Sequence, residues 1–372
     1  MIAHSLVWFI LLILLPDVYL WVRYLRLKRW WQQLLWFLPS VALLVAAVLL
    51  SREPDFVPDD MTWVNLFLLA LGLIAVPKLV YALCTLFGRR GHRVGQVLVA
   101  VLWVVLLYGS FVGNRRFEVR RVELSFQDLP ASFDGYRIVQ FSDIHLGSMA
   151  HALLNEMVDS INAQKADLIA FTGDIQNKQP SEILPFTKKL SSLKAVDGVF
   201  TVLGNHDYAD YTDVPYFVKY EREDSTVGLQ QQMGWTMLMN SRRYVCRGQD
   251  SIVVAGMEND GEGRFPQRGE VSQALWKVGR SEFILMLEHD PSAWRRKILR
   301  QCHAQLTLSG HTHAAQLSLL GWSPASLRYP ETQGLYREGD RALYVTRGLG
   351  GAIPFRLGCP GEITVITLKV KK

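Results

Sequence analysis

Five short motifs of carboxylate, amide and imidazole side chains each end a β-rich run of the sequence. In chain order they are D-I-H (143–145), G-D (173–174), G-N-H-D (204–207), E-H-D (288–290) and G-H-T-H (310–313). Five of the nine histidines of the chain fall within these motifs. Because sites assemble at the carboxyl ends of strands in layered α/β folds, we expect the five motifs to converge in space.

The donor types and their spacing indicate metal binding. Residues two apart in an extended segment point to the same side, so Asp143 with His145, and His311 with His313, can each present two donors to one place. Carboxylate, imidazole and amide oxygen suit Mn²⁺, Zn²⁺ or Fe ions, and no motif offers a thiolate. We expect Asp174 to bridge two divalent metal ions about 3.5–4 Å apart.

The five motifs, in this order, resemble the signature of the calcineurin-like metallophosphoesterase superfamily: D-x-H, G-D, G-N-H-[DE], H and G-H-x-H. The resemblance covers residues from about 120 to 370, and the tail beyond residue 331 is similar to the membrane-associated bacterial subgroup. It implies a metal-dependent phosphoric ester hydrolase. The G-D motif continues I-Q-N-K-Q where the protein Ser/Thr phosphatases have x-V-D-R-G, which disfavours a phosphoprotein substrate.

The resemblance also assigns roles to residues by position. It implies that His206 stabilises the transferring phosphate and protonates the leaving oxygen, and that Asp207 orients the His206 ring. It implies two metal sites that share one carboxylate: the first is held by Asp143, His145, Asp174 and His313, and the second by Asp174, Asn205, His289 and His311.

Four apolar stretches precede the motifs, at approximately 2–22, 32–50, 62–87 and 95–113. Each is long enough, at about 1.5 Å per residue, to cross a hydrocarbon core of about 30 Å. The sequence therefore predicts a four-helix transmembrane region over residues 1–114, with the lipid bilayer as its partner. The metallophosphoesterase domain is predicted over residues 115–372.

The distribution of basic residues predicts the side of the membrane. The loops after the first and third stretches carry seven Lys or Arg residues, whereas the second loop carries only Arg52. By the positive-inside rule this places the domain outside the cytoplasm, on the cell (inner) membrane, although four arginines at 115–121 argue the other way. Residues 1–114 hold +4 of the net charge of +6, so charge gives no support for a nucleic-acid partner.

Two charged residues lie within the apolar stretches, and each follows a proline. Asp17 and Lys78 have similar depths, which permits an ion pair between the first and third helices. We expect instead that each side chain extends to the inner interface, as long charged side chains near helix ends commonly do.

Beyond residue 115 the sequence alternates between short apolar runs and polar clusters. Nearly continuous apolar runs are typical of strands buried on both faces. Helical segments fit at 149–163, 181–193 and 291–301. The pattern predicts an α/β fold, a layered β-sandwich flanked by helices. Nine runs are read as strands: 121–126, 136–143, 167–174, 198–207, 251–258, 282–290, 304–313, 342–350 and 362–370.

The function expected from these features is hydrolysis of a phosphomonoester or phosphodiester, with a lipid-linked or cell-envelope phosphate as substrate. One alternative is cleavage of a nucleotide-linked lipid precursor of the UDP-diacylglucosamine type, which requires a cytoplasmic domain. Another is a non-catalytic, metal-binding membrane sensor. The run at 347–351 is either a phosphate-cradling loop, with Arg347 contacting substrate, or a tight turn. Oligomeric state is undetermined.

Overall fold

A computed structural model describes residues 2–53, 55 and 60–371, with side chains from residue 5 onward. The chain divides into two compact units. The first comprises Met1–Gly113 with Tyr211–Asp213 and Ile353–Phe355, and the second comprises Asn114–Asp210, Val214–Ala352 and Arg356–Lys372.

The first unit is built from four long helices: α1 (Ile2–Leu20), α2 (Trp30–Leu50), α3 (Met61–Thr85) and α4 (Gly88–Phe111). All four are long and apolar enough to cross a membrane, which confirms the four expected spans.

Helix α4 begins seven residues before the expected position, because Gly88, at φ +69°, turns the chain directly after α3. The basic residues Arg89, Arg90 and Arg93 therefore lie in the first turns of α4 and not in a loop. Part of the second connecting loop, residues 54 and 56–59, lies outside the described residues.

The expectation that Asp17 and Lys78 extend separately to the interface was wrong. Lys78 Nζ lies 2.6 Å from Asp17 Oδ1, 2.9 Å from Ser40 Oγ and 3.3 Å from the carbonyl oxygen of Trp36. Asp17 is fully buried. The ammonium group thus joins α1, α2 and α3, because the helices together supply the polar partners that a charge needs away from water.

The second unit contains twelve strands in two six-stranded sheets, with short helices around them. Strands β1 to β12 are Phe117–Phe126, Arg137–Phe141, Leu168–Phe171, Val199–Thr201, Thr236–Met237, Ser241–Arg247, Asp250–Gly256, Ile284–Leu287, Leu306–Ser309, Gly334–Glu338, Arg341–Val345 and Gly361–Val370. Helices α5 to α9 are His151–Ala163, Thr187–Leu190, Tyr216–Gln232, Val271–Ala274 and Leu299–Gln301.

Parallel strands form the centre of both sheets. The first sheet has the order β1-β12-β2-β3-β4-β5, in which β2 to β5 are parallel. The second has the order β10-β11-β9-β8-β7-β6, in which β11, β9, β8 and β7 are parallel. In each sheet, neighbouring parallel strands therefore deliver their carboxyl ends to a common edge.

The two sheets pack face to face, and helices cover their outer faces. Alternate residues of β2 show why: Ile138 contributes to the core between the sheets, whereas Val139 and Phe141 face α5. Trp294, in a helical turn that continues into α9, lies in the cluster on the outer face of the second sheet. The expected layered α/β sandwich flanked by helices is confirmed.

Candidate metal centre

The five motifs follow five strands of the two central parallel sets. In the first sheet, Asp143 follows β2, Asp174 follows β3 and Asn205 follows β4. In the second sheet, His289 follows β8, and the motif that contains His311 and His313 follows β9. Because both sheets direct these strand ends to the same edge of the sandwich, side chains separated by up to 170 residues meet there.

The first group of donor atoms belongs to Asp143, His145, Asp174 and His313, and all four atoms lie within 4.8 Å of one another. His313 Nε2 lies 3.2 Å from His145 Nε2 and 3.3 Å from Asp143 Oδ1. His145 Nε2 lies 3.7 Å from Asp174 Oδ2. Four ligands placed tetrahedrally at 2.0–2.2 Å from a metal are separated by roughly 3.3–3.6 Å, so the group has the dimensions of a coordination sphere.

A second group forms on the other side of Asp174. His289 Nε2 lies 3.3 Å from Asp174 Oδ2, 3.1 Å from Asn205 Oδ1 and 3.3 Å from His311 Nδ1. His311 Nδ1 lies 2.7 Å from Asn205 Oδ1. The Oδ2 atom of Asp174 is therefore common to both groups, which is the arrangement that a bridging carboxylate requires.

Hydrogen bonds fix the ring tautomers of two histidines. His145 Nδ1 donates to Asn177 Oδ1 at 3.1 Å, and His289 Nδ1 donates to the carbonyl oxygen of Thr172 at 2.7 Å. Since an oxygen of this kind only accepts, the proton lies on Nδ1 and the Nε2 lone pair faces the centre. Outer hydrogen bonds of this kind orient metal-ligating histidines and raise their basicity.

The His311 ring has the opposite orientation, with Nε2 facing away from the centre. Its Nε2 lies 2.8 Å from Tyr329 Oη and 3.4 Å from Asp290 Oδ2, so Nδ1 is the atom that faces the second group. His313 presents Nε2 to the first group, and its buried Nδ1 has no hydrogen-bond partner among the described residues. The four rings thus direct four ring nitrogens at two adjacent points.

The imidazole pKa values keep three of these four ring nitrogens unprotonated, with a lone pair available. Burial, with the positive charge of His206, lowers the pKa of His145 to about 3. Burial lowers the pKa of His311 to about 4, although the Asp290 carboxylate opposes it. Burial and His145 lower the pKa of His313 well below its usual range. Neutral rings are the form that binds a metal.

The pKa values of Asp143, Asp174 and His289 depend on one another, because each group carries a charge close to the other two. Burial and the Asp174 charge raise the pKa of Asp143 to about 7, while His289 lowers it. Burial alone would raise the pKa of Asp174, but His289 and His206 together hold it well below its usual range. Burial opposes a charged His289, yet Asp174 raises its pKa to about 10. The buried carboxylates thus stabilise a positive charge within the cluster, and a bound metal cation would supply that charge.

The backbone is strained at five of the seven candidate ligands. Asp143, His145, Asp174, His311 and His313 have φ between +48° and +71°, a region that residues with a Cβ rarely occupy. Such a residue costs of order 1–3 kcal/mol, and strain of this kind clusters at functional sites. The fold therefore holds these side chains where local preference alone would not place them.

Two motif glycines leave room for the carboxylates. A Cβ on Gly204 would overlap Asp174 Oδ1, and a Cβ on Gly310 would overlap Asp143 Oδ2. Any larger residue at either position would displace a candidate ligand.

Asp207 does not orient the His206 ring, so this expectation was wrong. The fully buried carboxylate accepts the amides of Gly204 and Asp174 at 2.9 Å, and that of Ile175 at 3.1 Å. A fourth, longer contact comes from the amide of residue 176, at 3.4 Å. Asp207 thus holds the loop that positions Asp174.

His206 lies beside the first group and is fixed by other partners. Its backbone amide donates to Asp174 Oδ1 at 2.9 Å, and its Nδ1 donates to the carbonyl oxygen of Asn177 at 2.6 Å. The His206 and His145 rings are nearly perpendicular, with centroids 4.8 Å apart. The proton on Nδ1 leaves Nε2 as the ring atom that can exchange a proton with a substrate.

The run at 347–351 forms a tight turn that bonds to the backbone after β2. The amides of Leu349 and Gly350 donate to the carbonyl oxygens of Ser142 and Asp143, at 2.9 and 2.8 Å. Arg347 Nε donates to Glu362 Oε2 at 2.6 Å, and its Nη2 pairs with Glu118. Two carboxylates therefore hold the Arg347 guanidinium, and its contact with substrate stays a prediction.

Comparison with known proteins agrees with this geometry. Residues 136–315 match the family model described as calcineurin-like phosphoesterase. A transmembrane protein with a metallophosphoesterase domain from Danio rerio is 34% identical over 285 residues, which cover 73% of this chain and 62% of that protein. The uncharacterized metallophosphoesterase YkuE of Bacillus subtilis is 30% identical over 273 residues, which cover 70% of this chain and 89% of that protein. The chain belongs to the calcineurin-like phosphoesterase family.

The chain spans less than two thirds of the length of the Danio rerio relative. Among solved structures, a dimetal phosphatase from Danio rerio aligns with 59% of this chain and 89% of its own, at 14% identity and a TM-score of 0.35. Family membership indicates a metal-dependent phosphoester hydrolase, and the four helices of the first unit are long and apolar enough to span a membrane. The family and the Asp/His cluster together indicate a dimetal site.

The sequence motifs missed several residues of this calcineurin-like site. Asn177 and Tyr329 fix His145 and His311, and the carbonyl oxygen of Thr172 fixes His289. Asp290 adjoins His289 in its motif, so its proximity was visible in the sequence. Nothing in the sequence signals Tyr329, which reaches the site from a separate segment, whereas Asn177 lies three residues after Asp174 in the loop that follows β3.

Proposed function

We propose that the chain hydrolyses a phosphomonoester or phosphodiester at the membrane, with a lipid-linked or cell-envelope phosphate as its substrate. The observation that carries the chemistry is the position of Asp174 Oδ2 between two groups of donor atoms, 3.7 Å from His145 Nε2 and 3.3 Å from His289 Nε2. The observation that carries the substrate class is the presence of four membrane-spanning helices in the same chain.

Two divalent metal ions, Mn²⁺, Zn²⁺ or Fe, suit the donor set, which offers imidazole, carboxylate and amide oxygen and no sulfur. When bound, such ions polarise the phosphoryl oxygens and lower the pKa of a water molecule. The first ion would be held by Asp143, His145, Asp174 and His313, and the second by Asp174, Asn205, His289 and His311.

His206 is the residue that we assign to proton transfer. Its Nδ1 proton is committed to the carbonyl oxygen of Asn177 at 2.6 Å, so Nε2 can donate to the leaving oxygen of the ester when the ring is protonated. Asp207 contributes indirectly, since its bonds to the amides of Asp174 and Gly204 hold both the shared ligand and the turn before His206.

The hydrolase domain is proposed to face away from the cytoplasm, on the cell (inner) membrane. The basic residues of the connection between α1 and α2, and of the first turns of α4, support this topology. Fusions of reporter proteins after residue 115 test it. A fusion that is active only in the cytoplasm would reverse the orientation and would bring nucleotide-linked lipid precursors within reach of the site.

The experiment that tests the enzymatic proposal uses the purified full-length chain, Mn²⁺ and bis-p-nitrophenyl phosphate. We expect hydrolysis that falls about 10²–10⁴-fold in His206→Ala, the usual contribution of a general acid. We expect Asp174→Ala to lose at least as much. His151→Ala is the matched control, because His151 is exposed and stacks on Phe186 outside the cluster.

The two site variants separate catalysis from metal binding alone. Activity that survives both Asp174→Ala and His206→Ala would defeat the enzymatic proposal. Metal binding without hydrolysis in the unsubstituted chain would favour the alternative of a non-catalytic sensor, which has no need of a general acid at position 206.

A further inference from the structure

An exposed apolar hairpin projects from the segment that follows the last metal-centre motif. We call residues 318–323 the tip hairpin. Leu319 and Trp322 are more than half exposed, and Leu320, at the turn, is completely exposed. Leu327, four residues beyond the tip hairpin, is 82% exposed. Scattered apolar residues are normal on a protein surface, but four exposed ones within nine positions concentrate apolar surface in one short segment.

The conformation of the turn makes its leucine unusual. The backbone of Leu319 and Trp322 closes a two-residue turn with N–H···O distances of 2.9 and 3.0 Å. The two central residues, Leu320 and Gly321, have φ of +52° and +87°. Turns of this type favour Asn-Gly or Gly-Gly, because a residue with a Cβ is strained at positive φ. Leu320 therefore strains the backbone and buries nothing, so the fold itself gives no reason for a leucine there.

The base of the tip hairpin is firmly held. The amide of Ser318 donates to the carbonyl oxygen of Leu357 at 2.9 Å. Gln333 Nε2 donates to the carbonyl oxygen of Gly321 at 3.2 Å, and Ser323 Oγ donates to that of Ala314. These hydrogen bonds thus hold the tip hairpin in a defined conformation.

The tip hairpin is also connected rigidly to the metal centre. His313 and the next three residues, 314–316, have φ between +48° and +56°, a left-handed turn that leads directly towards the hairpin. On the far side of the hairpin, Tyr329 bonds to His311 Nε2 at 2.8 Å. Both ends of the segment are therefore attached to candidate ligands, so anything that the tip contacts lies at a fixed position relative to the active site.

We propose that the tip hairpin inserts into the interfacial region of the lipid bilayer and docks the active site against it. The chain itself indicates a lipid bilayer as the surface that the tip contacts. Helix α4 ends at Phe111 and β1 begins at Phe117, so residues 112–116 connect the hydrolase domain to a membrane helix and span at most roughly 18 Å. Trp322 has the amphipathic ring that is enriched at bilayer interfaces, and Leu320 supplies the apolar tip.

Charge next to the tip hairpin suits a surface of phosphate headgroups. Arg328 is exposed, and its guanidinium lies over the Phe265 ring at 5.2 Å and the Tyr329 ring at 5.5 Å. Basic residues close to exposed Trp and Leu side chains are the combination found in segments that lie in the interface. The proposed docking of the tip hairpin does not depend on which phosphoester the protein hydrolyses.

Depth-dependent fluorescence quenching of the full-length chain tests the docking. Cys246 is the exposed cysteine among the four, so Cys246→Ser provides a background for single labels. A bimane label is placed at Leu320→Cys, or at Val196→Cys as the matched control, in phosphatidylcholine–phosphatidylglycerol nanodiscs with nitroxide lipids. Val196 is 77% exposed but precedes β4, at the edge of the sheet opposite the metal centre.

We expect nitroxides in the upper acyl region to quench the label at 320 and to leave the label at 196 unaffected. A second label, at Leu327→Cys, is measured with and without Leu320→Asp. A charge near the interface costs about 1 kcal/mol, so we expect the equilibrium constant for docking to fall about fivefold, and the quenching at 327 to fall with it. In detergent, thermal unfolding of the Leu320→Asp variant should occur at no lower temperature than in the parent, because the Leu320 side chain is fully exposed and Asp tolerates a positive φ better than Leu.

Equal quenching at 320 and 196, or quenching at 327 that is insensitive to Leu320→Asp, would overturn the proposal. A label at 320 that is shielded from water but not quenched by lipid nitroxides would also overturn it, and would indicate a protein partner. None of these readouts depends on hydrolysis, so a failure of docking is distinguishable from a failure of the proposed enzymatic function.

Discussion

Replacing Asp207 by alanine removes the acceptor for a set of buried backbone N–H groups around the metal centre. Three of them, from Gly204, Asp174 and Ile175, lie at 2.9–3.1 Å from the carboxylate. Each buried donor left without a partner costs about 1–3 kcal/mol, so the three together cost about 3–9 kcal/mol. Because water can enter the space that the carboxylate leaves, we expect a loss of about 3–5 kcal/mol in the free energy of unfolding.

This loss is measurable as a shift in the thermal unfolding midpoint. For a domain of about 250 residues, 1 kcal/mol corresponds to roughly 2–4 °C, so Asp207→Ala should lower the midpoint by about 6–20 °C. Asp159→Ala is the matched control, since Asp159 is a 70% exposed partner of Lys189 and should contribute about 0–1 kcal/mol. Circular dichroism or intrinsic fluorescence of the detergent-solubilised chain provides the midpoint.

A double-substitution cycle distinguishes this role from orientation of the catalytic histidine. If Asp207 holds the loop, Asp207→Ala should destabilise the chain equally in the wild-type and His206→Ala backgrounds. If instead Asp207 acts only through the His206 ring, its replacement should have little further effect once that ring is gone. A native unfolding midpoint for Asp207→Ala would refute the assignment of its carboxylate to the backbone amides.

Three further outcomes are expected from the same structure. Removal of metal by a chelator should lower the unfolding midpoint, and Mn²⁺ at 100 times its dissociation constant should restore about 2.7 kcal/mol per site; an unchanged midpoint would contradict a metal centre in the folded state. Tyr329→Phe, which removes the oxygen beside His311 Nε2, should weaken metal binding about 10–100-fold in a competition assay with a fluorescent chelator; full affinity would refute its orienting role. Lys78→Met should destabilise the membrane unit by about 3–5 kcal/mol, and adding Asp17→Asn should recover part of that loss; purely additive effects would show that the two charges do not pair.

The candidate ligands could be predicted from the sequence because the information is local. A strand run that ends in Asp, Asn or His fixes both the donor type and the end of the sheet at which it lies, as for Asp143 after β2 and His289 after β8. The pairing of the donors into two groups came from family resemblance. Side-chain spacing alone does not show that Asp174 Oδ2 lies between His145 and His289.

Interactions between distant segments could not be predicted in the same way. The G-N-H-D motif places His206 and Asp207 side by side, but the His206 ring donates to the carbonyl oxygen of Asn177, whereas Asp207 accepts from Asp174 and Gly204. Which acceptor a ring proton finds depends on the path of the loop after β3, and the motif carries no information about that path.

Helix α7 (Tyr216–Gln232) was missed because its burial pattern is inverted. Its buried residues include Thr226 and Gln230, which bond to Gln176 Oε1 at 3.0 Å and to Thr201 Oγ1 at 2.7 Å. Its aromatic residues at 216, 217 and 220 are exposed. A search for an apolar stripe with helical spacing finds nothing in such a segment, because the core-facing stripe is polar.

Metal content of the purified full-length chain tests the two-metal proposal most directly. After reconstitution with Mn²⁺ or Zn²⁺ and removal of excess ion, elemental analysis should find about two divalent ions per chain, as the two donor groups around Asp174 require. Asp174→Ala should lower that content to one ion or fewer, because the carboxylate common to both groups is lost. Fewer than two ions in the unsubstituted chain, or two ions retained by Asp174→Ala, would contradict the dinuclear centre.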